Sequence, residues 1–504
     1  MNAMQKRDEM RPRFSARSPL PALMPALAAL LLSACTVGPN YKRPTAPTPP
    51  AFKEQPPPDF KEAGGWKPAQ PADDLLKGKW WEIYNDPALN ALEEQVSLSN
   101  QNLAQAEAVY REARAAVLVS RAALSPTLST APSAGESRAG GNSGPTSTSG
   151  LRSTFEFPLS AAWAPDLWGN IRRGVTAAAA SAQASAANLE NARLLYQSEL
   201  AQDYFQLHGL DSDADLLQTT LKSYQEYLTL TQNRKAGGIA SDLDVAQAEA
   251  QLYATRTQLQ DLGVQRAQLE HAIAVLIGKP PAELTISSLV LKTPPPPVPL
   301  AVPSVLLERR PDIAAGERQM AAANEQIGIA EAAYYPTLSL SAALGLENNR
   351  ITTWFSWPAR FFSVGATMAE TLFDAGRRRA AVSQSQAAFD ATIAAYRQTV
   401  LTAFQQVEDN LATLRVLAEE SVTADQSVTS AERALTVSTA QYKAGTTSYL
   451  TVIQAQATAL AAERTAVDLL TRRLTASVLL VQALGGGWEI SQLPTQKDVA
   501  AKGN

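Results

Sequence analysis

The sequence predicts an α+β membrane protein built from two internal repeats, each made of a helix, a β-hairpin and long helices. Three observations predict this fold. Three pairs of motifs recur in the same order at a spacing of about 205 to 210 residues. The period of the hydrophobic residues changes in the same way along both halves. After residue 35 no apolar stretch of about 18 residues is uninterrupted, so any part that crosses a membrane must do so as strands.

The composition argues against several functional classes. The formal net charge is -4, with Lys+Arg 44 and Asp+Glu 48. Nucleic acid is not expected as a partner, because phosphate binding requires Lys and Arg clustered on one face. Cys35 is the single cysteine, and His208 and His271 are far apart without a second type of ligand nearby. No metal or other cofactor is therefore expected. An enzyme is the least favoured class, since the sequence has no nucleophile and base at a recognised spacing and no phosphate loop.

Residues 1–34 are predicted to be a lipoprotein signal peptide. Basic residues between Lys6 and Arg17 precede an apolar run from Leu20 to Leu32. Leu32-Ser33-Ala34-Cys35 then resembles a bacterial lipobox, which implies lipidation of Cys35. An ordinary signal peptide with an incidental cysteine is the alternative. Residues 35–79 are predicted to be a lipidated tether that is Pro-rich over 44–58.

The repeats are assigned to residues 80–293 and 304–488, joined by a Pro-rich linker at 294–303 and followed by a tail at 489–504. The three motif pairs are Leu124–Ser129 with Tyr334–Ser339, Leu167–Arg173 with Leu372–Arg378, and Lys235-Ala236-Gly237 with Lys443-Ala444-Gly445. A duplicated unit explains their common order better than chance does.

Within each repeat, a helix is expected to end at a proline and a hairpin to follow it. In the first repeat the helix is predicted over 87–123, and the hairpin over about 127–165, with Phe155, Phe157 and Leu159 at alternate positions. In the second repeat the helix is predicted from about Ser304 to Ala333, and the hairpin over about 337–373.

Long helices are predicted after each hairpin. The segment from Ile171 to Leu207 has no proline and only one glycine, and would reach roughly 50 Å. Later segments carry seven-residue repeats, which indicate coiled-coil packing: Val245, Leu252 and Leu259 with Leu262, Leu269 and Leu276 in the first repeat, and Ile453, Leu460, Val467, Leu474 and Val481 in the second. The helices alone are equally compatible with a soluble helical bundle.

The hairpins distinguish the two alternatives. Two hairpins supply about four strands per chain, whereas a membrane barrel needs at least about eight. Several chains are therefore needed to close one barrel. Trp354, Phe355 and Trp357 lie near the second hairpin loop, where an interfacial aromatic belt is expected. Scattered aromatic residues of an ordinary sheet are the alternative.

Several motifs, taken in order, resemble one known family. They are Val37-Gly38-Pro39-Asn40-Tyr41 after the lipobox, Trp80-Trp81 with Asp86-Pro87, Asp166-Leu167-Trp168-Gly169, Leu307-Glu308-Arg309-Arg310-Pro311-Asp312-Ile313, Lys443-Ala444-Gly445 and Gly485-Gly486-Gly487-Trp488. From Cys35 to about Trp488 the chain resembles the outer membrane factors, the TolC-like and NodT-type efflux lipoproteins. The resemblance implies a homotrimer with a twelve-stranded outer-membrane β-barrel, continuous with a long α-helical coiled-coil barrel in the periplasm.

The same resemblance implies a function and a location. It implies a passive export duct for small molecules such as drugs, toxic compounds or metals. The duct would be lipid-anchored in the cell outer membrane, and would dock to a periplasmic adaptor and an inner-membrane transporter of the resistance-nodulation-division class. A type I secretion duct for proteins and a structural coiled-coil envelope lipoprotein are the alternatives.

Glu408 and Asp409 are the candidates for a periplasmic gate. In the family that this chain resembles, acidic residues ring the pore at the periplasmic end, and this pair is expected near the end of the helix that follows the second hairpin. Three symmetry-related carboxylates near one axis would repel each other and attract cations. Asp203 is the comparable but weaker candidate of the first repeat. A solvated helix face is the alternative.

Overall fold

The computed structural model describes residues 36–46, 48–54, 78–138, 151–298 and 306–501. The chain divides into two compact units. Among the described residues, the strand unit contains those within 1–40, 120–175 and 324–386, and the helical unit contains those within 41–119, 176–323 and 387–504. The signal peptide, Cys35 and most of the predicted hairpin loop before residue 151 lie outside the described residues.

Both hairpins of the strand unit join one antiparallel sheet. Its strands are β1 (Thr127–Thr130), β2 (Ser133–Arg138), β3 (Leu151–Trp163), β4 (Thr337–Asn348) and β5 (Arg360–Ala369). β1 and β2 both pair with β3, β3 pairs with β4, and β4 pairs with β5. Antiparallel strand pairs form within both predicted hairpin ranges, and β5 ends at Ala369, four residues before the end of the second range.

Two prolines divide the first predicted strand into β1 and β2. Both pieces keep one register on β3, and the break at Ala131-Pro132 falls opposite Phe157-Pro158. Proline has no N–H to donate to a ladder. The pairing of β3 with β4 continues through Pro158. The backbone N–H group that Pro158 lacks would therefore have pointed toward β1 and β2. There, Thr130 donates its hydroxyl to the Pro158 carbonyl at 2.7 Å.

Two pairs of long helices carry the internal repeat. They are α3 (Asn170–Ala236) and α4 (Asp242–Leu276) in the first repeat, and α7 (Arg377–Lys443) and α8 (Tyr449–Ala483) in the second. Helices α3 and α7 both have 67 residues, and α4 and α8 both have 35. Each helix of the second pair begins 207 positions after its counterpart, as Asn170 and Arg377 show. The predicted two-repeat α+β fold is confirmed, and α3 continues well beyond Leu207.

The helices before the hairpins are shorter than predicted. The segment predicted as one helix over 87–123 forms α1 (Pro87–Ser99) and α2 (Gln101–Ala122), with Asn100 in an extended conformation between them. The Asn100 carboxamide oxygen accepts the backbone N–H groups of Asn102 and Leu103, and its amide nitrogen donates to the Leu276 carbonyl. Such side-chain capping competes with a continuous helix, which is why the helix breaks at this residue.

The counterpart segment in the second repeat breaks for a different reason. It forms α5 (Leu306–Arg309) and α6 (Pro311–Ala332) instead of one helix from Ser304 to Ala333. Pro311 disfavours a helical conformation at Arg310 but is well suited to begin a helix itself. A last short helix, α9, spans Gln496–Val499.

A large apolar core holds the helical unit together. It combines Trp80 and Trp81 of a short 3-10 helix with residues of all the long helices, including Leu200, Val407 and Val481. Leu252, Leu262, Leu276, Leu460, Leu474 and Val481 of the predicted seven-residue repeats are buried. Part of the predicted tether also packs here. Tyr41 and Phe52 contact the core, and the Tyr41 hydroxyl donates to the Glu317 carboxylate at 2.8 Å.

Candidate functional site

The sheet has one continuous apolar face. Side chains alternate along each strand, and directly paired residues share a face. The paired rows on this face are Phe157 with Leu346, Leu159 with Leu344 and Phe362, Ala161 with Ala342 and Val364, and Trp163 with Leu340 and Ala366. Phe362 is 84% exposed and Val364 is 82% exposed. Large apolar side chains of a sheet face this open are unusual in a water-soluble protein, and they mark a surface for lipid or another apolar partner.

The opposite face of the sheet is polar or carries small residues. Its rows include Ser160 with Ala343 and Ser363, and Ala162 with Ser341 and Gly365. Glu156 and Glu347 are directly paired on this face. Two like charges opposite each other destabilise a sheet unless water screens them. One face of the sheet is therefore suited to lipid and the other to water.

Both edges of the sheet are open within the described chain. β1 and β2 pair only with β3, and β5 pairs only with β4. Each outer edge thus presents a row of backbone N–H and C=O groups to whatever lies beside it. In lipid these groups cannot be satisfied by water.

Within each pair of long helices, an equivalent turn joins the two helices: one between α3 and α4, and one between α7 and α8. These two connections are called the helical turns. After α3, Ile239 N donates to Arg234 O and Gly238 N to Lys235 O; after α7, Thr446 N donates to Gln441 O and Gly445 N to Tyr442 O. Gly238 and Gly445 have φ values of 72° and 76°, a left-handed conformation that favours glycine. Gly238 is thus the structural counterpart of Gly445, one position away from the pairing that the Lys-Ala-Gly motifs suggested.

Arg234 connects the two helical turns. Its guanidinium lies 4.5 Å from the centre of the Tyr442 ring and donates to the Tyr442 carbonyl at 2.8 Å. Tyr442 packs on Tyr449 with the ring centres 5.3 Å apart. These tyrosines belong to a small core to which α3, α4, α7 and α8 all contribute. One side chain of the first repeat therefore holds the last turn of α7 in the second.

The predicted gate residues lie elsewhere on α7. The expectation that Glu408 and Asp409 lie near the end of the helix is wrong, because α7 continues to Lys443, about 35 residues or roughly 50 Å further. The Glu408 carboxylate accepts the backbone N–H groups of Lys53 and Glu54 at 2.8 and 2.9 Å. Asp409 is exposed, and among the described residues its carboxylate accepts from Gln405 alone, at 3.3 Å. Their role in a gate stays a prediction.

Asp203, the weaker candidate, is the counterpart of Asn410 by the 207-residue offset of the helices. It lies in α3 and is partly buried. Burial, together with the nearby Glu199 carboxylate, raises the pKa of Asp203 to about 6.

Residues that follow Cys35 are held within the strand unit. Val37 N donates to the Trp168 carbonyl at 3.1 Å, and Arg173 Nε donates to the Val37 carbonyl at 2.6 Å. Arg173 also pairs with Glu325 at 2.7 Å. A Cβ atom on Gly38 would lie 2.4 Å from the Gly328 Cα, so the approach requires glycine. The lipidation of Cys35 itself stays a prediction.

Sequence reasoning missed Arg234 and the contacts of Glu408. Arg234 immediately precedes the Lys235-Ala236-Gly237 motif, so a comparison of helix ends could have found it. No signal in the sequence relates Glu408 to Lys53, since 355 positions separate the two residues.

Among the described residues, none of the helices is both long and apolar enough to cross a membrane. Within the same ranges, no group of three His, Cys, Asp or Glu residues is placed to hold a metal ion.

The chain is similar to a known family and to known proteins of Pseudomonas species. The model of the family described as outer membrane efflux protein matches residues 92–279 and 302–486. The pyoverdine export outer membrane protein OpmQ of Pseudomonas aeruginosa is 34% identical over 417 residues, which cover 82% of this chain and 88% of that protein. The toluene efflux pump outer membrane protein TtgF of Pseudomonas putida is 30% identical over 468 residues, covering 92% and 97%.

Solved structures with the same fold agree with these matches. The outer-membrane channel OprN has a TM-score of 0.81 at 31% identity, covering 90% of this chain and all of that one. The outer membrane protein VceC of Vibrio cholerae has a TM-score of 0.75 at 27% identity, covering 82% of this chain and all of that one.

Proposed function

This chain belongs to the outer membrane efflux protein family and is an outer-membrane efflux channel subunit, and from that premise we propose that three copies form one passive export duct. In the proposed duct the three sheets close a single twelve-stranded barrel. The duct receives small molecules from an inner-membrane transporter of the resistance-nodulation-division class through a periplasmic adaptor. It performs no catalysis, and acyl chains on Cys35 anchor it to the outer membrane.

The observation that carries the proposal is a two-faced sheet with two open edges. The apolar face, with Phe362 and Val364 exposed, is suited to lipid, and the polar face is suited to a water-filled lumen. In lipid, the open edges at β1–β2 and β5 need partners for their backbone groups. Neighbouring copies supply those partners if β5 of one copy pairs with β1 and β2 of the next. β1 and β2 share one register and act as one strand, so three copies give about twelve strands.

The helical turns are our candidate for the adaptor surface and the gate. Ile239 is 70% exposed, Leu243 is 65% exposed and Leu450 is 48% exposed, and all three lie in or beside the turns. Exposed apolar side chains of this kind suit a protein partner. Arg234, which holds Tyr442, is suited to keep the two turns in one arrangement until the partner binds.

Asp409 is retained as the better of the two acidic gate candidates, for a second constriction of the pore that lies along α7 roughly 50 Å from the helical turns. Its carboxylate is exposed, whereas the Glu408 carboxylate is occupied by two backbone N–H groups. In an assembly with threefold symmetry, an exposed carboxylate that faces the axis would favour cations.

The lipid anchor is supported by the contacts of the residues after Cys35. Val37 is fixed by Trp168 and Arg173 in the strand unit, so the backbone next to Cys35 has a defined position. Acyl chains on Cys35 would then enter the membrane beside the sheet. More than one acyl chain on a residue gives a stable anchor.

Recording in planar lipid bilayers tests the proposed duct. The purified chain should insert and give uniform conductance steps without any energy source. It should show no turnover of the transported compounds. Failure to conduct while correctly assembled, or a pore formed by a lone subunit, would contradict the proposal.

A further inference from the structure

Arg360 carries a positive charge on the apolar face of the sheet. It is the first residue of β5 and pairs with Leu346, which in turn pairs with Phe157, so all three share the apolar face. A guanidinium on the lipid side of a sheet is costly at the middle of a bilayer but costs little near its surface. Arg360 lies beside the β4–β5 loop, at the end of the sheet where a membrane surface is expected.

The β4–β5 loop leans over the same apolar face. The Trp354 ring lies 5.7 Å from the ring of Phe155, and the Trp354 indole N–H donates to the Leu346 carbonyl at 3.4 Å. Phe155 belongs to the apolar face, since it lies two positions before Phe157 on β3. Phe355 and Trp357 of the loop are each 74% exposed. Exposed aromatic rings beside an apolar sheet face are typical of a membrane interface.

The charge of Arg360 has no acidic partner within the described residues. Its guanidinium lies over the Trp357 ring, which orients the group and leaves its N–H donors available. Arg350 of the same loop is exposed and likewise forms no ion pair among the described residues. A planar guanidinium held on an aromatic ring suits a phosphate oxyanion, which accepts two of its hydrogen bonds at once.

We propose that Arg360 and Trp357, with Arg350 of the same loop, bind the phosphate headgroup of an outer-leaflet glycolipid. This inference rests on the membrane placement of the sheet proposed above. The loop lies at the end of the sheet away from the connections to α3 and α7, which is the external end of the proposed duct. The aromatic rings contact the lipid near the headgroup, and the guanidinium neutralises its phosphate.

The polar face of the sheet provides a matched control in Arg152, which is exposed on β3 on the opposite face.

Binding of bis-phosphorylated lipid A and of its dephosphorylated form to the full-length assembled protein tests the proposal. Wild-type protein is expected to prefer the phosphorylated form about tenfold, the size expected when one charge-assisted contact is lost. Arg360→Gln should reduce this preference to about onefold, and Arg152→Gln should leave it unchanged. Arg360→Lys should retain only part of it, because an ammonium keeps the charge without the planar stack.

Three outcomes would overturn the proposal. They are equal binding of both lipid forms by wild-type protein, an equal loss in the Arg152→Gln variant, and full competition by millimolar inorganic phosphate, which would indicate a site for free anions. Single-channel conductance of Arg360→Gln should match wild type, which also shows that the variant is assembled. Intact conductance without a phosphate preference would refute this inference alone, whereas absent conductance in wild-type protein would refute the proposed duct.

Discussion

An arginine at the middle of β5 should destabilise the protein when it lies on the apolar face of the sheet. On the polar face it should leave the stability almost unchanged. Val364 and Ser363 are neighbours near the middle of this strand, where Val364 pairs with Ala342 on the apolar face and Ser363 pairs with Ala343 on the polar face. Val364 is 82% exposed in the single chain, so neither substitution removes core packing. The difference between the two variants therefore reports which face meets lipid.

The expected magnitude follows from the depth of the site. An arginine on the lipid face near the bilayer midplane costs about 2–4 kcal/mol per chain. That cost lowers the ratio of folded to unfolded protein by about 30-fold to 1,000-fold, since 1.4 kcal/mol corresponds to about tenfold. Ser363→Arg should cost less than about 0.5 kcal/mol, because its side chain remains in water.

Urea unfolding in phospholipid vesicles, at one fixed protein concentration, measures both free energies of unfolding. Val364→Arg should shift the midpoint to lower urea, and Ser363→Arg should remain near wild type while altering conductance. Equal costs for the two variants, or a larger cost for Ser363→Arg, would refute the assignment of the faces.

Three further predictions concern the helical unit. The folded state retains the proton of Asp203 up to about pH 6, whereas the unfolded state releases it at lower pH, so the free energy of unfolding should fall as pH rises from about 4 to 6. Asp203→Asn should remove that pH dependence and, allowing for solvent screening, stabilise the protein by about 1–2 kcal/mol at pH 7.5. Denaturant titrations that give the same pH dependence of stability in the variant and in wild type would contradict this. Arg234→Ala should raise single-channel conductance severalfold by releasing the helical turns, whereas Arg256→Ala, whose guanidinium stacks on a tyrosine of its own helix, should not; equal conductance in both variants would exclude the connection. Glu408→Gln should make the N-terminal segment several times more sensitive to protease without changing ion selectivity. Asp409→Asn should instead reduce the selectivity of the channel for cations. Unchanged cation selectivity of Asp409→Asn would exclude the gate role.

The hairpins and the long helices could be predicted because their signals are local and periodic. Alternation at Phe155, Phe157 and Leu159 directly reflects the two faces of a strand, and all three share the apolar face. The duplicated motifs correctly indicated two similar units. The equal lengths of α3 and α7 confirm that duplication.

Element boundaries were harder to predict because single residues set them through distant contacts. Asn100 ends one helix and begins the next, and its amide bonds to Leu276, far along the chain. Pro132 and Pro158 meet at one break of the ladder, where the register places Pro132 opposite Phe157 and Pro158 opposite Ala131. The end of α7 had a usable signal in Gly445 and Ser448, a left-handed glycine followed by a helix N-cap, and using it would have placed the helix end away from Glu408.

The location of the gate could not be obtained from charge alone. Acidic pairs on long helices are common, and their role depends on what reaches them from elsewhere. Glu408 is occupied by the backbone of Lys53 and Glu54, a contact that no periodic pattern encodes. Arg234 acts through a carbonyl of another helix, which is likewise invisible to residue spacing.

The number of chains in one conducting particle tests the central claim most directly. Native mass spectrometry of the detergent-solubilised protein, on the same sample that conducts in planar bilayers, measures this number. We expect three chains per particle, because the open edges of one sheet can be satisfied only by further copies. A conducting particle that contains a single chain would contradict the account.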